Sequence, residues 1–427
     1  MAFLSNSAAA ARVSGRLLFK KRVPGQLVIQ YTDHCNASCP QCGMRISNKF
    51  QRATLEKARV KKIIRHAAAK GISALSFTGG EPFLFLDQIC QLATYAGNCG
   101  IRYIRTGTNG YLFRNSDQAG FTDRIRRIAD QLAATPIRNI WVSLDSSDVA
   151  THEQMRGLPG VVRGIEKALP IFAERGLYLS ANLGINRNFA GAKHDRERLE
   201  YADFLRGFDR FYSFVHDLGF TIANVCYPMY STPEQAPAEA VYAATAADRV
   251  VYFSTAEKLE LFQALSDCIP NHRDKLRIFT PRCSIHALLK QYQGHAELSS
   301  PCRGGKDFFF VDSASGQTFP CGYRGEEKLG FMWELDTTSC ATSPPCRRCD
   351  WECFRDPSEL FAPLLQFRQA PLQLLRRLCA DPMFFKLWLE DLLYYRACHY
   401  FNGRIAPNSQ RLESWQQLQP STPYNLW

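Results

Sequence analysis

The chain reads as an α/β protein built on a parallel sheet. Six short apolar strand patterns alternate with helical patterns between residues 27 and 227. Strands separated by helices in this way call for crossover connections and parallel pairing. The distinctive short motifs of this region fall at the carboxyl ends of those strands, where α/β folds place their ligands.

Taken in order, Leu27 to Tyr31 reads as a first strand and Leu55 to Ala69 as a basic amphipathic helix. Leu75 to Thr78 is a buried strand that runs into Gly79-Gly80-Glu81-Pro82. A helix over about 86–96 leads to a strand at 103–106 and then to Thr108-Asn109-Gly110. A helix at 121–134 precedes a strand at 139–144; a helix at 161–174 precedes a strand at 177–185; a helix near 199–217 precedes a strand at 220–227. Ser231 to Ala240 has linker composition, and 241–293 looks helical. A strand-turn-strand pattern covers Lys306 to Phe319. The stretch 358–401 is helical and rich in Leu, Phe and Tyr, with Asp381-Pro382 suited to an N-cap and first helical position.

Composition narrows the class. With 427 residues, 46% hydrophobic and 22% charged, the chain has enough apolar matter for a large core, which excludes a disordered chain. No stretch of about 20 residues is free of charge, so no spanning helix is expected. Lys and Arg number 52 against 40 Asp and Glu, a net charge of +12. The charges are scattered, so they favour anionic partners only in general; no RNA-binding module is recognisable, and the reading does not point to nucleic acid. The first 32 residues lack acids, as transit peptides do, and read as a basic arm or short helix. Without a secretory pattern, the expected compartment is the cytoplasm, where clustered thiols bind metal more often than they form disulfides.

Nine of the 16 cysteines fall in two groups. Cys35, Cys39 and Cys42 have the spacing C-x3-C-x2-C. Three thiolates on one loop can hold three irons of a cubane and leave the fourth open to a ligand. A zinc site would need His34, which sits awkwardly beside Cys35. The second group is Cys302, Cys321, Cys340, Cys346, Cys349 and Cys353. Cys90, Cys99, Cys268, Cys283, Cys379 and Cys398 read as small core hydrophobes.

C-x3-C-x2-C after a first strand and Gly-Gly-Glu-Pro after a second resembles the radical S-adenosylmethionine (SAM) superfamily over about residues 25–230. The resemblance implies a partial (β/α)6 TIM-like barrel and a [4Fe–4S] cluster on Cys35, Cys39 and Cys42. It implies SAM chelated at the open iron, cleaved reductively to a 5′-deoxyadenosyl radical that abstracts hydrogen from substrate. It carries SAM-binding roles to Gly79, Gly80, Glu81, Thr108, Asn109, Ser143, Arg156 and Asn182, with Arg156 facing the SAM carboxylate. Gln41 stands where the family often has an aromatic residue beside adenine, so that role is not carried over. The second group resembles the SPASM/Twitch auxiliary-cluster region. It suits one auxiliary [4Fe–4S] cluster on Cys302, Cys321, Cys346 and Cys349, with Cys353 or Cys340 as a substitute or as part of a second site, against a zinc knuckle.

The expected organisation is a basic arm (1–24), the barrel (25–230), a helical connector (231–299), the auxiliary-cluster region (300–356) and a C-terminal helical segment and tail (357–427). The expected function is radical SAM oxidation or crosslinking of an unidentified peptide, protein or small molecule, supplied with electrons by a flavodoxin- or ferredoxin-like donor. Alternatives are a redox-neutral epimerase or rearrangement enzyme and a non-catalytic iron–sulfur electron carrier. Cys226, at the end of the sixth strand, is a candidate hydrogen donor, cluster ligand or substrate contact. The aromatic helices from Pro382 to Phe401 are read as capping the core, with lining of an apolar substrate channel or binding of an anionic membrane surface as alternatives.

Overall fold

The computed structural model describes residues 22–42, 52–191, 197–230, 248–336, 346–347 and 349–415. The linker at 231–240 and Cys340 lie outside these residues.

The six expected strands form: β1 (Gly25–Thr32), β2 (Ile72–Gly79), β3 (Tyr103–Thr108), β4 (Ile137–Ser143), β5 (Ser180–Gly184) and β6 (Ile222–Cys226). Each pairs in parallel with the next. The helices between them are α1 (Lys57–Ala69), α2 (Leu86–Asn98), α3 (Phe121–Ala133), α4 (Val149–Arg156), α5 (Val161–Ala173) and α6 (Tyr201–Asp217). Their apolar faces pack on the sheet. Ile63, Ile64, Leu92, Ile125, Leu132, Ile165 and Phe208 join Leu27, Leu75, Ile104 and Val142 in one buried core. The short helix α4 was not expected; Asp148 caps it by accepting the Thr151 N–H.

Two departures extend the sheet. The stretch 241–293, expected to be helical, contains α7 (Thr255–Cys268) and α8 (Arg282–Tyr292), but also a two-residue strand, β7 (Arg277–Ile278), parallel to β6. The hairpin expected at 306–319 forms as β8 (Phe308–Val311) and β9 (Thr318–Phe319), and β8 pairs in parallel with β1. The sheet order is therefore β7-β6-β5-β4-β3-β2-β1-β8-β9. The second cysteine region is thereby joined to the barrel sheet by backbone hydrogen bonds.

The C-terminal helices α9 (Glu352–Gln369), α10 (Pro371–Ala380) and α11 (Pro382–Ala397) follow. Asp381 caps α11 by accepting the Phe384 N–H, with Pro382 at its first position. On α11, Phe384 and Leu387 are buried with Cys283 and Ala287 of α8, and Tyr394 with Ile222 of β6, whereas Phe367, Leu372 and Leu375 stand exposed. Of the cysteines read as core residues, Cys90, Cys268, Cys283 and Cys398 are buried, Cys99 is half-buried and Cys379 is exposed.

Candidate functional site

Inward-pointing residues alternate along the strands and leave a cavity of about 370 Å³ inside the barrel. At its upper end lies the Cys35–Cys42 loop that follows β1. This loop is fastened to the end of β2: the Gly80 N–H donates to the Thr32 carbonyl at 2.7 Å and the Glu81 N–H to the His34 carbonyl at 2.8 Å. Only glycines permit the approach. A Cβ on Gly79 would stand 2.1 Å from the Thr32 carbonyl oxygen, and one on Gly80 would stand 2.1 Å from that of His34. Gly79 also has φ +140°, a conformation L side chains rarely adopt.

Glu81 is 1% exposed and ties β2 to β3. Its Oε1 accepts the Phe83 N–H at 2.9 Å and its Oε2 accepts the Asn109 N–H at 2.6 Å. Burial pushes its carboxyl up to about 7, against the lowering effect of these donors and of Thr108. In this structure Glu81 is a brace between strand ends rather than a free acceptor. Asn109 extends the brace, with Nδ2 donating to Asn36 Oδ1 at 2.8 Å and lying 3.8 Å from Cys35 Sγ.

Arg156, expected to face an anionic ligand, forms a bidentate pair with Asp145 at 2.7 and 3.0 Å. Gln41 Nε2 donates to the same carboxylate at 2.6 Å. The partnership of Asp145 was not foreseen; its only sequence signal is the Ser-Leu-Asp run that ends β4. His152, whose Nδ1 accepts the Asp145 N–H, is driven down to about 4 by burial and stays neutral. Thr108, Asn109, Ser143, Arg156 and Asn182 all line the cavity together with Gly79, Gly80, Glu81 and the three loop cysteines. The structure thus gathers the entire first set of expected site residues.

Deeper in the barrel, Asn224 Nδ2 donates to Asn182 Oδ1 at 2.8 Å, and Asn182 Nδ2 lies 3.4 Å from Cys226 Sγ. Cys226 and Glu352 share a side-chain hydrogen bond, and Cys353 Sγ lies 3.6 Å from Glu352 Oε1. Burial, with Glu352 adding to it, pushes both thiols well above their ordinary range. Glu352 was missed in the sequence; an acid placed inside a cysteine run was its only signal.

The second pocket is lined by Cys302, Cys321, Cys346 and Cys349 with Arg324, Arg347 and Arg355. Cys302 and Cys346 face each other across an antiparallel bridge. Backbone N–H groups of Gly304 and Tyr323 approach Cys302 Sγ and Cys321 Sγ, each at 3.4 Å. Cys353, expected as a substitute ligand or part of a second site, lines the barrel cavity rather than the pocket of the four cysteines, though it packs on the same apolar cluster as Cys302, Cys321 and Cys349. Trp351 lines both pockets.

The residues fit iron–sulfur clusters better than zinc. A thiolate zinc site with bonds of about 2.3 Å brings its sulfurs to about 3.8 Å of one another. Among the described residues, only Asp209, Cys268 and His272 bring three ligating atoms within 4.8 Å. Both cysteine sets are wider, as a multi-iron cluster requires, and His34 is exposed outside the cavity. In the second pocket, Arg355 Nε and Nη2 are buried without a hydrogen-bond partner, a cationic edge that suits an anionic tetrathiolate cluster.

Residues 29–185 match the radical SAM superfamily model. An AdoMet-dependent heme synthase of Methanosarcina barkeri is 23% identical over 300 residues, covering 70% of this chain and 77% of that protein. A GTP 3′,8-cyclase of Vibrio atlanticus is 30% identical over 155 residues, covering 35% of this chain and 43% of that protein. The structure of Streptococcus suis SuiB bound to S-adenosylmethionine shares the fold, with TM-score 0.50 and 18% identity, covering 79% of this chain and 70% of that one. Residues 29–185, which carry the cysteine loop and the strand ends gathered around the cavity, are the part of the chain that matches the radical SAM superfamily.

Proposed function

We propose that the chain is a radical SAM oxidoreductase or maturase in which a second cluster assists oxidation or crosslinking of the substrate. Cys35, Cys39 and Cys42 would hold the first cluster. Gly79, Gly80, Thr108, Asn109, Ser143, Arg156 and Asn182 would surround SAM, with Glu81 fixing the strand ends that carry them. When bound, the cluster and SAM supply an electron and a 5′-deoxyadenosyl radical for hydrogen abstraction. The chain's own part is to seat the substrate among the inward side chains and keep water out with α9 and α11. Cys302, Cys321, Cys346 and Cys349 would hold the second cluster, which would supply an electron acceptor for the oxidation.

The observation that carries this reading is Trp351, which lines both the cavity of the loop cysteines and the pocket of the four others. An electron acceptor one side chain away from the substrate chamber suits oxidation. The partners on this reading are a flavodoxin- or ferredoxin-like donor and a peptide or small-molecule substrate. No helix among the described residues is long and apolar enough to cross a membrane.

Cys226 supports a second, redox-neutral reading. It lines the cavity, and its thiol would return a hydrogen atom to the substrate radical, leaving a thiyl. A product that gains one deuterium in D2O at unchanged oxidation level would select this reading; a product two hydrogens lighter would select oxidation.

The two-cluster assignment is tested by electron paramagnetic resonance of the reduced, anaerobically reconstituted protein. The Cys35→Ala/Cys39→Ala/Cys42→Ala variant should keep one cluster signal that SAM does not perturb, and adding Cys302→Ala should erase it. A triple variant with no cluster signal would remove the second cluster from the account.

A further inference from the structure

We propose that Arg105 is an anion anchor on the barrel floor, which receives a carboxylate of an otherwise apolar substrate. This rests on reading the barrel cavity as the substrate chamber.

Arg105 lies on β3 two residues before Gly107 and points inward, beside Ser76 on β2. Its Nε donates to Ser76 Oγ at 2.5 Å. Among the described residues that is its only hydrogen bond; neither terminal amino group is among the buried unpaired atoms, and Arg105 lines the cavity. The cavity has one other cation, Arg156, which Asp145 holds at both ends. Among the described residues, no carboxylate lies within 4 Å of Arg105.

The acids lining the same cavity are engaged elsewhere. Glu81 accepts two backbone N–H groups, Glu352 accepts the Tyr227 N–H, and Asp356 accepts the Ser284 hydroxyl at 2.6 Å. Burial also raises the carboxyls of Glu352 and Asp356 toward their neutral forms. A guanidinium cannot shed its proton in the same way. An enclosed cation therefore faces space with no anion to balance it, an arrangement that a charged ligand completes.

Structural arginines in this protein look different. Arg404 donates to the carbonyls of Leu132, Ala133, Thr135 and Ile137, and Arg277 donates to Thr221, Asn402 and Ile405. Those guanidiniums are consumed by the fold; Arg105 is not. The planar fork matches a carboxylate in bidentate fashion. Trp141, Phe279, Phe310, Trp351 and Leu360 are among the other lining residues, and they suit an aromatic or aliphatic skeleton.

The test is isothermal titration of the anaerobically reconstituted, SAM-saturated protein with 4-phenylbutyrate, 4-phenylbutanamide and phenyl phosphate. The carboxylate should bind at least about tenfold more tightly than its neutral amide, the effect of one charge-assisted pair. Arg105→Met should remove that preference, and Arg105→Lys should keep part of it. Equal binding of carboxylate and amide to the wild type, binding of neither, or an unchanged preference in Arg105→Met would overturn the proposal. Loss of binding under saturating SAM would assign Arg105 to SAM instead and would also overturn it, and tighter binding of the phosphate would overturn the carboxylate class. The wild-type comparison stands even if the methionine variant fails to fold. It needs no SAM cleavage, so it fails or holds independently of the radical reading.

Discussion

Cys349 and Cys353 are four residues apart and face different chambers: Cys349 joins Cys302, Cys321 and Cys346, while Cys353 lines the barrel cavity with Cys226. Iron content should therefore separate them. Cys349→Ala should lose most of the second cluster's iron, about four atoms per chain. Cys353→Ala should keep the wild-type count. Iron and sulfide analysis of the two reconstituted variants checks this, and equal losses would place Cys353 back among the ligands.

Glu81 gives a pH signature in the apoprotein. Its folded-state value, about 7, lies above the ordinary 4.5. The folded state therefore binds the proton more tightly than the unfolded chain, and this contribution is present at low pH and is lost as pH rises through 7. The difference corresponds to a change on the order of 3 kcal/mol. Glu81→Gln removes the titration, so its deficit against wild type should be largest near pH 5 and should shrink by pH 8. Urea unfolding at the two pH values measures it.

Asp145→Asn should destabilise the barrel by about 3–5 kcal/mol, because it leaves the buried Arg156 without its bidentate partner. The double variant Asp145→Asn/Arg156→Met should recover part of that loss. A double variant no more stable than Asp145→Asn would show that the charge was not the cause.

Gly107→Ala should force the Trp141 indole to move, since a Cβ there would stand 1.9 Å from the ring. The expected cost is about 1–3 kcal/mol for an overpacked interior. A shifted Trp emission spectrum together with a lower melting temperature would report it; an unchanged Tm would show that the ring has room to turn.

Much of the fold was legible because its signals are local. The strand and helix patterns through Cys226 lie within a few residues of the observed bounds, since each carries its own apolar period. Strand β7 was missed because two residues carry no period. The hairpin at 306–319 was legible, but its parallel pairing with β1 was not, because that contact joins residues nearly 300 positions apart. The same division holds at the site. The cysteine spacings and Gly-Gly-Glu-Pro are contiguous words. The Arg156–Asp145 pair, the Arg105 guanidinium on the cavity and the place of Trp351 in the lining of both pockets exist only once distant strands and helices close around one space.

The central claim is that the Cys35–Cys42 loop and the strand ends around it support reductive cleavage of SAM. The most direct measurement is 5′-deoxyadenosine formed by the anaerobically reconstituted, reduced protein with SAM, beside the Cys35→Ala/Cys39→Ala/Cys42→Ala variant. The account predicts 5′-deoxyadenosine from the wild type and none from the variant, which still holds about four irons. A fully loaded wild type that releases no 5′-deoxyadenosine with several low-potential reductants would contradict it.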